Sequence, residues 1–205
     1  MVTPTTCNAT NPHNKIHCVM DNLKRVYDNP KHKDYDLYVT GHSLGGALAA
    51  LLAFNLAGSD KLGNVPSPIT AVTFAAPNVG GTGYLKAFQA LEKAKLLRHV
   101  RVSNSDDLVN VVPPGLGWFG GVFTMSGYTQ TGININLSAS RAMKIAYRGV
   151  NKWFVDSIGF GNKKFHSLKT YRQRLLGNGN KETLEKLTVE QIYGDDTYQD
   201  EVLDN

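Results

Sequence analysis

The chain has 205 residues, 41% hydrophobic and 19% charged, with eight Phe, nine Tyr and two Trp. That is enough material for one globular core and too little chain for two comfortable domains. The formal net charge is +5, but the basic residues form no arginine-rich run, so charge alone does not argue for nucleic-acid binding, and a mildly basic surface suits acidic lipid headgroups equally well.

Residues 1–14, "MVTPTTCNATNPHN", read as an irregular lead-in rich in Thr, Asn and Pro. Residues 1–20 lack a charged start followed by an apolar block, so no secretory signal is visible. Localisation therefore stays open, and a secreted or endomembrane setting follows only if the amino terminus is incomplete. The two cysteines, Cys7 and Cys18, are close enough for a bridge, and "NAT" at Asn8 is a glycosylation sequon of the kind secreted chains carry. Cys7, His13, His17 and Cys18 also share one short segment, but their spacing fits no zinc pattern, and no metal is expected.

Residues 15–29, "KIHCVMDNLKRVYDN", place Ile16, Val19, Met20, Leu23 and Val26 at helical spacing, and Asn29-Pro30 stops that helix. "YDLYVT" at 35–40 predicts a short strand, and "LGGALAALLAFNLAG" at 44–58 a core helix, apolar on most sides and closed by Gly58. Its apolar run at 47–54 falls short of the ~18–20 residues that a membrane span needs. A strand follows at 69–77, an amphipathic helix at 83–95 and a strand at 96–104. Strands alternating with helices predict an α/β fold with a mainly parallel sheet. The Gly- and aromatic-rich stretch after Pro113 reads as a loop with one or two irregular strands, and 166–177 as a helix. The principal domain is thus expected over 15–177, with a peripheral helix and an acidic tail over 178–205.

The sharpest chemical signal is "GHSLG", a G-x-S-x-G motif formed by Gly41, His42, Ser43, Leu44 and Gly45. A strand runs directly into it and a helix directly out, as a nucleophile elbow requires. Side chains at Gly41 and Gly45 are expected to collide with neighbouring backbone in so tight a turn, and the serine to sit in a strained conformation. This geometry would present the Ser43 hydroxyl to substrate and aim the Leu44 N–H and the positive helix end at a developing oxyanion.

A serine hydroxyl needs an imidazole to take its proton and a carboxylate to orient that imidazole. Two histidines lie downstream of Ser43. His99 falls inside a strand, where a core or surface role fits better, whereas His166 follows a basic loop, "GNKKF", near the end of the domain. For the acid, Asp106 and Asp107 both follow the strand "HVRVSN", at the carboxyl end where sites of open α/β sheets assemble. Sequence chemistry does not separate this adjacent pair.

With these residues in hand, the chain resembles the fungal-type, or class 3, lipase family of α/β-hydrolases. "YVTGHSLGGALAALLA" is similar to that family's nucleophile segment. "AVTFAAPNVGG" resembles its T-F-G-x-P-R-V-G-N segment, departing at Ala75, Asn78 and Gly81. "RVSNSDDLVNVVPP" resembles its N-D-x-V-P-x-x-P-P acid segment. The alignment puts the family's aspartate on Asp107 and its asparagine on Asp106, with Asn110 replacing a proline. "FHSLKTY" is similar to its H-x-L-x-x-Y segment and carries the histidine role to His166. The resemblance spans roughly residues 15–176 and implies an α/β-hydrolase that cleaves lipid carboxylic esters through an acyl-enzyme. Ser43 would be the nucleophile, His166 the acid–base and Asp107 its orienting carboxylate, with no cofactor. Acylglycerols or polar glycerolipids would be the substrates, met in contact with a lipid interface.

The resemblance also implies an F-R-G-[ST] strand upstream that supplies a second oxyanion donor. Residues 1–14 contain nothing like it, so the expected fold is amino-terminally incomplete, with the strand at 35–40 on an open edge. Leu116, Trp118, Phe119 and Phe123, aromatics and a leucine among glycines, are candidate walls of an acyl groove. A non-catalytic interaction protein on the same scaffold, or an inactive fragment, is the competing reading. Retention of all three triad residues weighs against it.

Overall fold

The computed structural model describes residues 12–111, 117–119, 122–124, 127–147 and 163–193. Helix α1 (Pro12–Tyr27) is followed by a 3-10 turn (Pro30–His32), strand β1 (Tyr38–His42), helix α2 (Leu44–Ala57), strand β2 (Ile69–Phe74), helix α3 (Thr82–Lys93) and strand β3 (Leu97–Asn104). The latter half contributes a small hairpin, β4 (Gly117–Phe119) and β5 (Val122–Thr124), then β6 (Ile133–Leu137) and β7 (Lys144–Tyr147). It closes with a 3-10 turn (Lys163–His166) and helices α4 (Leu168–Leu176), α5 (Asn180–Glu185) and α6 (Val189–Tyr193).

Five strands form one sheet in the order β1-β2-β3-β6-β7. The first three ladders are parallel, and β7 closes the far side antiparallel to β6. The expected mainly parallel α/β sheet is therefore present, with β1 on an edge among the described residues. The sequence predicts no strand at 144–147, and over the stretch ending at Leu137 a loop with one or two irregular strands; β6 and β7 both lie in the central sheet.

Cross-strand register decides which residues share a face, because side chains alternate along a strand. Ile69 pairs with Leu97, and Val39, Ala71 and His99 align across three strands. This face carries the core in which Tyr27 of α1, Ala53 and Leu56 of α2 and Phe88 of α3 are buried. Four alanines of α2, at 47, 49, 50 and 53, are buried against the sheet, so small side chains let the helix approach closely. On the opposite face, Val72 pairs with Val100 and Val100 with Ile133, while Phe74 pairs with Val102 and Val102 with Ile135. Tyr171 of α4, Leu184 of α5, and Ile192 and Tyr193 of α6 pack there.

Several local expectations change. Helix α2 is not enclosed on most sides, since Leu44 and Leu48 are 68% and 58% exposed. They lie one turn apart at the end of α2 that adjoins Ser43, where no element covers them among the described residues. The region after Gly177 is not wholly peripheral, because Asn180 and Tyr193 are buried. The Tyr193 hydroxyl caps the His99 N–H of β3 and donates to Glu92 Oε1 at 3.2 Å, fastening α6 to β3 and α3. Cys18 is disulfide-bonded, which removes it as a thiolate metal ligand, while Cys7 lies outside the described residues. No helix among the described residues is long and apolar enough to cross a membrane.

Candidate active site

The elbow forms because β1 and α2 are joined through a single residue, Ser43, held at φ 57° and ψ −130°. A side chain there is strained, and surrounding bonds must hold it. The Ser43 N–H donates to Phe74 O at 2.9 Å, tying the elbow to the end of β2, and Gly46 N–H donates to Ser43 O at 2.9 Å. A Cβ on Gly41 would stand 2.2 Å from the Gly45 carbonyl oxygen, and one on Gly46 2.8 Å from the Ala76 Cβ. A Cβ on Gly45 would meet nothing within 4 Å. The steric demand expected at Gly41 is present, whereas that expected at Gly45 falls on Gly46 instead. The Gly46 face is the one pressed onto the sheet, while Gly45 points away from it.

Asp107 follows β3 in a turn whose backbone bond runs from Asp107 N–H to Asn104 O at 3.0 Å. Its side chain is 2% exposed, yet three donors serve it. Oδ2 accepts from His166 Nδ1 at 2.9 Å and from the Tyr171 hydroxyl at 2.8 Å, while Oδ1 accepts from Val109 N–H at 3.0 Å. Such bonds to the ionised form are what make a buried carboxylate tolerable. Burial and the neighbouring Asp107 charge push the Tyr171 phenol above its ordinary range, so it remains a donor.

His166 ends the 3-10 turn (Lys163–His166) rather than opening a helix, and Ser167 caps α4 by accepting from Thr170 N–H at 3.3 Å. Its Nδ1–H is committed to Asp107, which leaves Nε2 as an acceptor 2.8 Å from Ser43 Oγ. The structure therefore brings Ser43, His166 and Asp107 into one continuous relay. The Leu44 N–H begins α2 next to the hydroxyl, where a helix amino terminus favours negative charge.

The adjacent aspartates diverge. Asp106 Oδ2 accepts from Arg174 Nη2 at 2.8 Å and stays 42% exposed, away from the imidazole. His99 is outside the relay. It is buried between the Thr73 and Thr131 hydroxyls, each at 3.0 Å, and burial with the nearby Arg101 charge lowers its pKa to about 3. The hairpin β4–β5 pairs Trp118 with Phe123 and Phe119 with Val122, and Leu116 lies outside the described residues. Next to the relay, Leu168 rims an apolar groove of about 260 Å³ that Phe74, Tyr171 and Leu175 also line.

Four supporting residues escaped sequence reading. Asn110, at the position where the resembled family has proline, is 1% exposed. Its amide donates to Asn104 O and to the Tyr171 hydroxyl, both at 3.1 Å. Tyr171 stands as the last letter of the H-x-L-x-x-Y segment, so its position was visible though its role was not. Asn104 is fully buried; it donates to Phe165 O at 2.9 Å and accepts from Arg174 Nη1. Arg174 lies with its guanidinium carbon 5.4 Å from the Phe165 ring centre. No spacing rule joins these residues, which meet only when α4 docks.

Comparison with known proteins agrees with this geometry. The family described as "Lipase (class 3)" matches residues 9–116. The chain is similar to phospholipase A1-II 4 of Oryza sativa subsp. japonica, 30% identical over 172 residues, covering 84% of this chain and 37% of that protein. It is also similar to phospholipase A1-IIgamma of Arabidopsis thaliana, 27% identical and covering 86% and 38% respectively. It thus spans roughly two fifths of the length of these curated relatives. Among solved structures, a lipase from Rhizopus microsporus var. chinensis aligns with a TM-score of 0.51 at 22% identity, covering 81% of this chain and 57% of that one. The Rhizomucor miehei triacylglyceride lipase aligns at 0.52 and 21%, covering 73% and 52%. These likenesses speak for the fold, and the match over 9–116 for the family: the chain belongs to the class 3 lipases, on an α/β-hydrolase scaffold.

Proposed function

We propose that this protein hydrolyses carboxylic ester bonds of lipids through an acyl-enzyme on Ser43. The observation that carries the proposal is the unbroken relay from Ser43 Oγ through His166 to Asp107 Oδ2, at 2.8 Å and 2.9 Å. In this mechanism Ser43 Oγ attacks the ester carbonyl carbon and its proton passes to His166 Nε2. The carbonyl π electrons move onto oxygen, where the Leu44 N–H and the α2 terminus stabilise the charge. Asp107 stabilises the imidazolium without taking its proton. The imidazolium then protonates the departing alkoxide, leaving an acyl-serine. Water repeats the sequence, giving its proton to His166 as it attacks, and releases the fatty acid.

The names of the plant relatives support a polar glycerolipid as substrate, and the proposal of Leu116, Trp118, Phe119 and Phe123 as acyl-chain walls rests on their apolar, glycine-flanked sequence alone. No metal or organic cofactor enters these steps. The test is labelling of the 205-residue protein with a fluorophosphonate, beside Ser43→Ala and His166→Ala. Labelling that requires both residues is expected. A folded protein that does not label overturns the proposal and leaves the interaction scaffold in its place. Headgroup preference then follows from release of fatty acid from defined phospholipid and acylglycerol micelles.

A further inference from the structure

The nucleophile motif contains a second histidine, and the strand register dictates where it goes. His42 is the last residue of β1 and pairs with Phe74 of β2, so its side chain falls on the sheet face that carries α4. There its Nε2 stands 2.8 Å from the backbone carbonyl oxygen of His166. A carbonyl oxygen only accepts, so Nε2 carries the hydrogen, an arrangement that both the neutral Nε2–H tautomer and the imidazolium provide. The two imidazoles are tilted by 38° with centroids 4.8 Å apart, and Tyr171 meets the His42 ring edge-on at 6.4 Å.

One residue earlier, the Phe165 carbonyl accepts from Asn104 Nδ2 at 2.9 Å. Two successive carbonyls of the 3-10 turn are thus held by side chains from the nucleophile elbow and from the end of the acid's strand. From this we infer that His42 is a positioning residue for the reaction proposed above. It fixes the His166 peptide relative to Ser43, its immediate chain neighbour, while Asn104 fixes the preceding peptide relative to Asp107. The inference rests on the hydrolase reading.

The physical need is clear from the sequence separation. Ser43 and His166 are 123 residues apart and their contact is one hydrogen bond. Small misplacement of an acid–base group costs orders of magnitude in rate, on the order of 10²-fold for ~1 Å. A bond from the residue adjoining the nucleophile to the backbone of the imidazole's own residue is a short tether between the two reacting groups. It acts on orientation and makes no contact with the ester itself.

The experiment compares second-order rates of fluorophosphonate inactivation for wild type, His42→Phe, His42→Met and His42→Gln. Phenylalanine keeps a ring but loses the donor, methionine loses both, and the glutamine amide reaches about where imidazole Nε2 does. The donorless variants are expected to react about 10- to 100-fold more slowly, and His42→Gln to recover most of that loss. With a soluble ester, the loss should fall on kcat with KM little changed. A donorless variant reacting at the wild-type rate overturns the inference, as does His42→Gln falling as far as His42→Phe. Folding of either donorless variant suffices for the comparison. If wild type itself does not label, the hydrolase reading fails instead. The tether is then read from the proton resonance of His166 Nδ1–H, which is expected to shift or broaden in His42→Phe and to return in His42→Gln. An unchanged resonance in His42→Phe overturns the tether.

Discussion

The Tyr171 hydroxyl donates to the same Asp107 oxygen that receives the His166 Nδ1–H, at 2.8 Å against 2.9 Å. The phenol therefore shares the work of stabilising the carboxylate and fixes which lone pair faces the imidazole. Tyr171→Phe leaves Asp107 with two donors and the Asn110 amide without an acceptor it now uses. A hydrogen bond to a charged group contributes about 1.5–3 kcal/mol, so stability should fall by that order in urea unfolding. Fluorophosphonate labelling should slow by about tenfold, in line with a group that orients the base without touching substrate. Wild-type labelling by Tyr171→Phe would show that His166 and Val109 alone hold the carboxylate.

The glycines of the elbow separate cleanly. Gly41→Ala drives a methyl to 2.2 Å from the Gly45 carbonyl oxygen, a backbone atom that cannot retreat without moving α2. It should cost several kcal/mol and abolish labelling. Gly45→Ala meets nothing within 4 Å and adds helix propensity of up to about 1 kcal/mol in the first turn of α2. It should leave the thermal midpoint unchanged or raise it. A folded, reactive Gly41→Ala would refute the steric account.

Ser43 itself is strained, at φ 57°. Residues held in such sparsely populated conformations cost ~1–3 kcal/mol, and glycine avoids most of that cost while losing ~0.5–1 kcal/mol through greater freedom when unfolded. Ser43→Gly should therefore be inert to the probe yet about 1 kcal/mol more stable than wild type. Ser43→Ala keeps the Cβ and should be inert without that gain. Equal stability of the two variants would argue against stored strain at Ser43.

His99 sets an acid limit. Its pKa is lowered from 6.5 to about 3 by burial first and by Arg101 second. The unfolded chain therefore binds a proton that the folded chain refuses, over the window from about pH 6.5 down to about 3. Stability from this site is complete above that window and declines through it as pH falls, at about 1.4 kcal/mol per pH unit. His99→Gln, which keeps polar contacts to Thr73 and Thr131 without titrating, should lose less stability than wild type between pH 7 and pH 4.5. Parallel urea midpoints for the two proteins would exclude His99 as the source.

The sequence made the parallel alternation of β1, β2 and β3 legible because each is a short apolar run set between helical patterns. It left β6 within a stretch read as loop and one or two irregular strands, for a physical reason. In "ININL" the asparagines mimic the polar half of an exposed strand, yet Asn134 is 3% exposed on an interior strand between β3 and β7. Residue chemistry alone leaves Asp106 and Asp107 unseparated and the family resemblance points to Asp107; the structure adds the reason, since neighbouring side chains leave the backbone in different directions. One direction meets His166 and the other Arg174. Asn110 looked like a departure from a proline pattern. Its amide does what proline cannot, donating to Asn104 O and to Tyr171, and such a role depends on a helix that arrives 61 residues later.

That late arrival has a consequence for how the protein can be assayed. The relay joins positions separated by 123 and 59 residues, so it closes only after the turn at Lys163–His166 has come to rest across the ends of β1 and β3. Contacts of such long range form late and open early relative to local ones. A population in which β1, α2 and β2 are intact but α4 has lifted off would still look folded to circular dichroism, and its serine would be silent. On the proposed mechanism, reactivity toward an active-site probe therefore counts the fully closed molecules in a preparation, one by one, where spectroscopy averages over the rest.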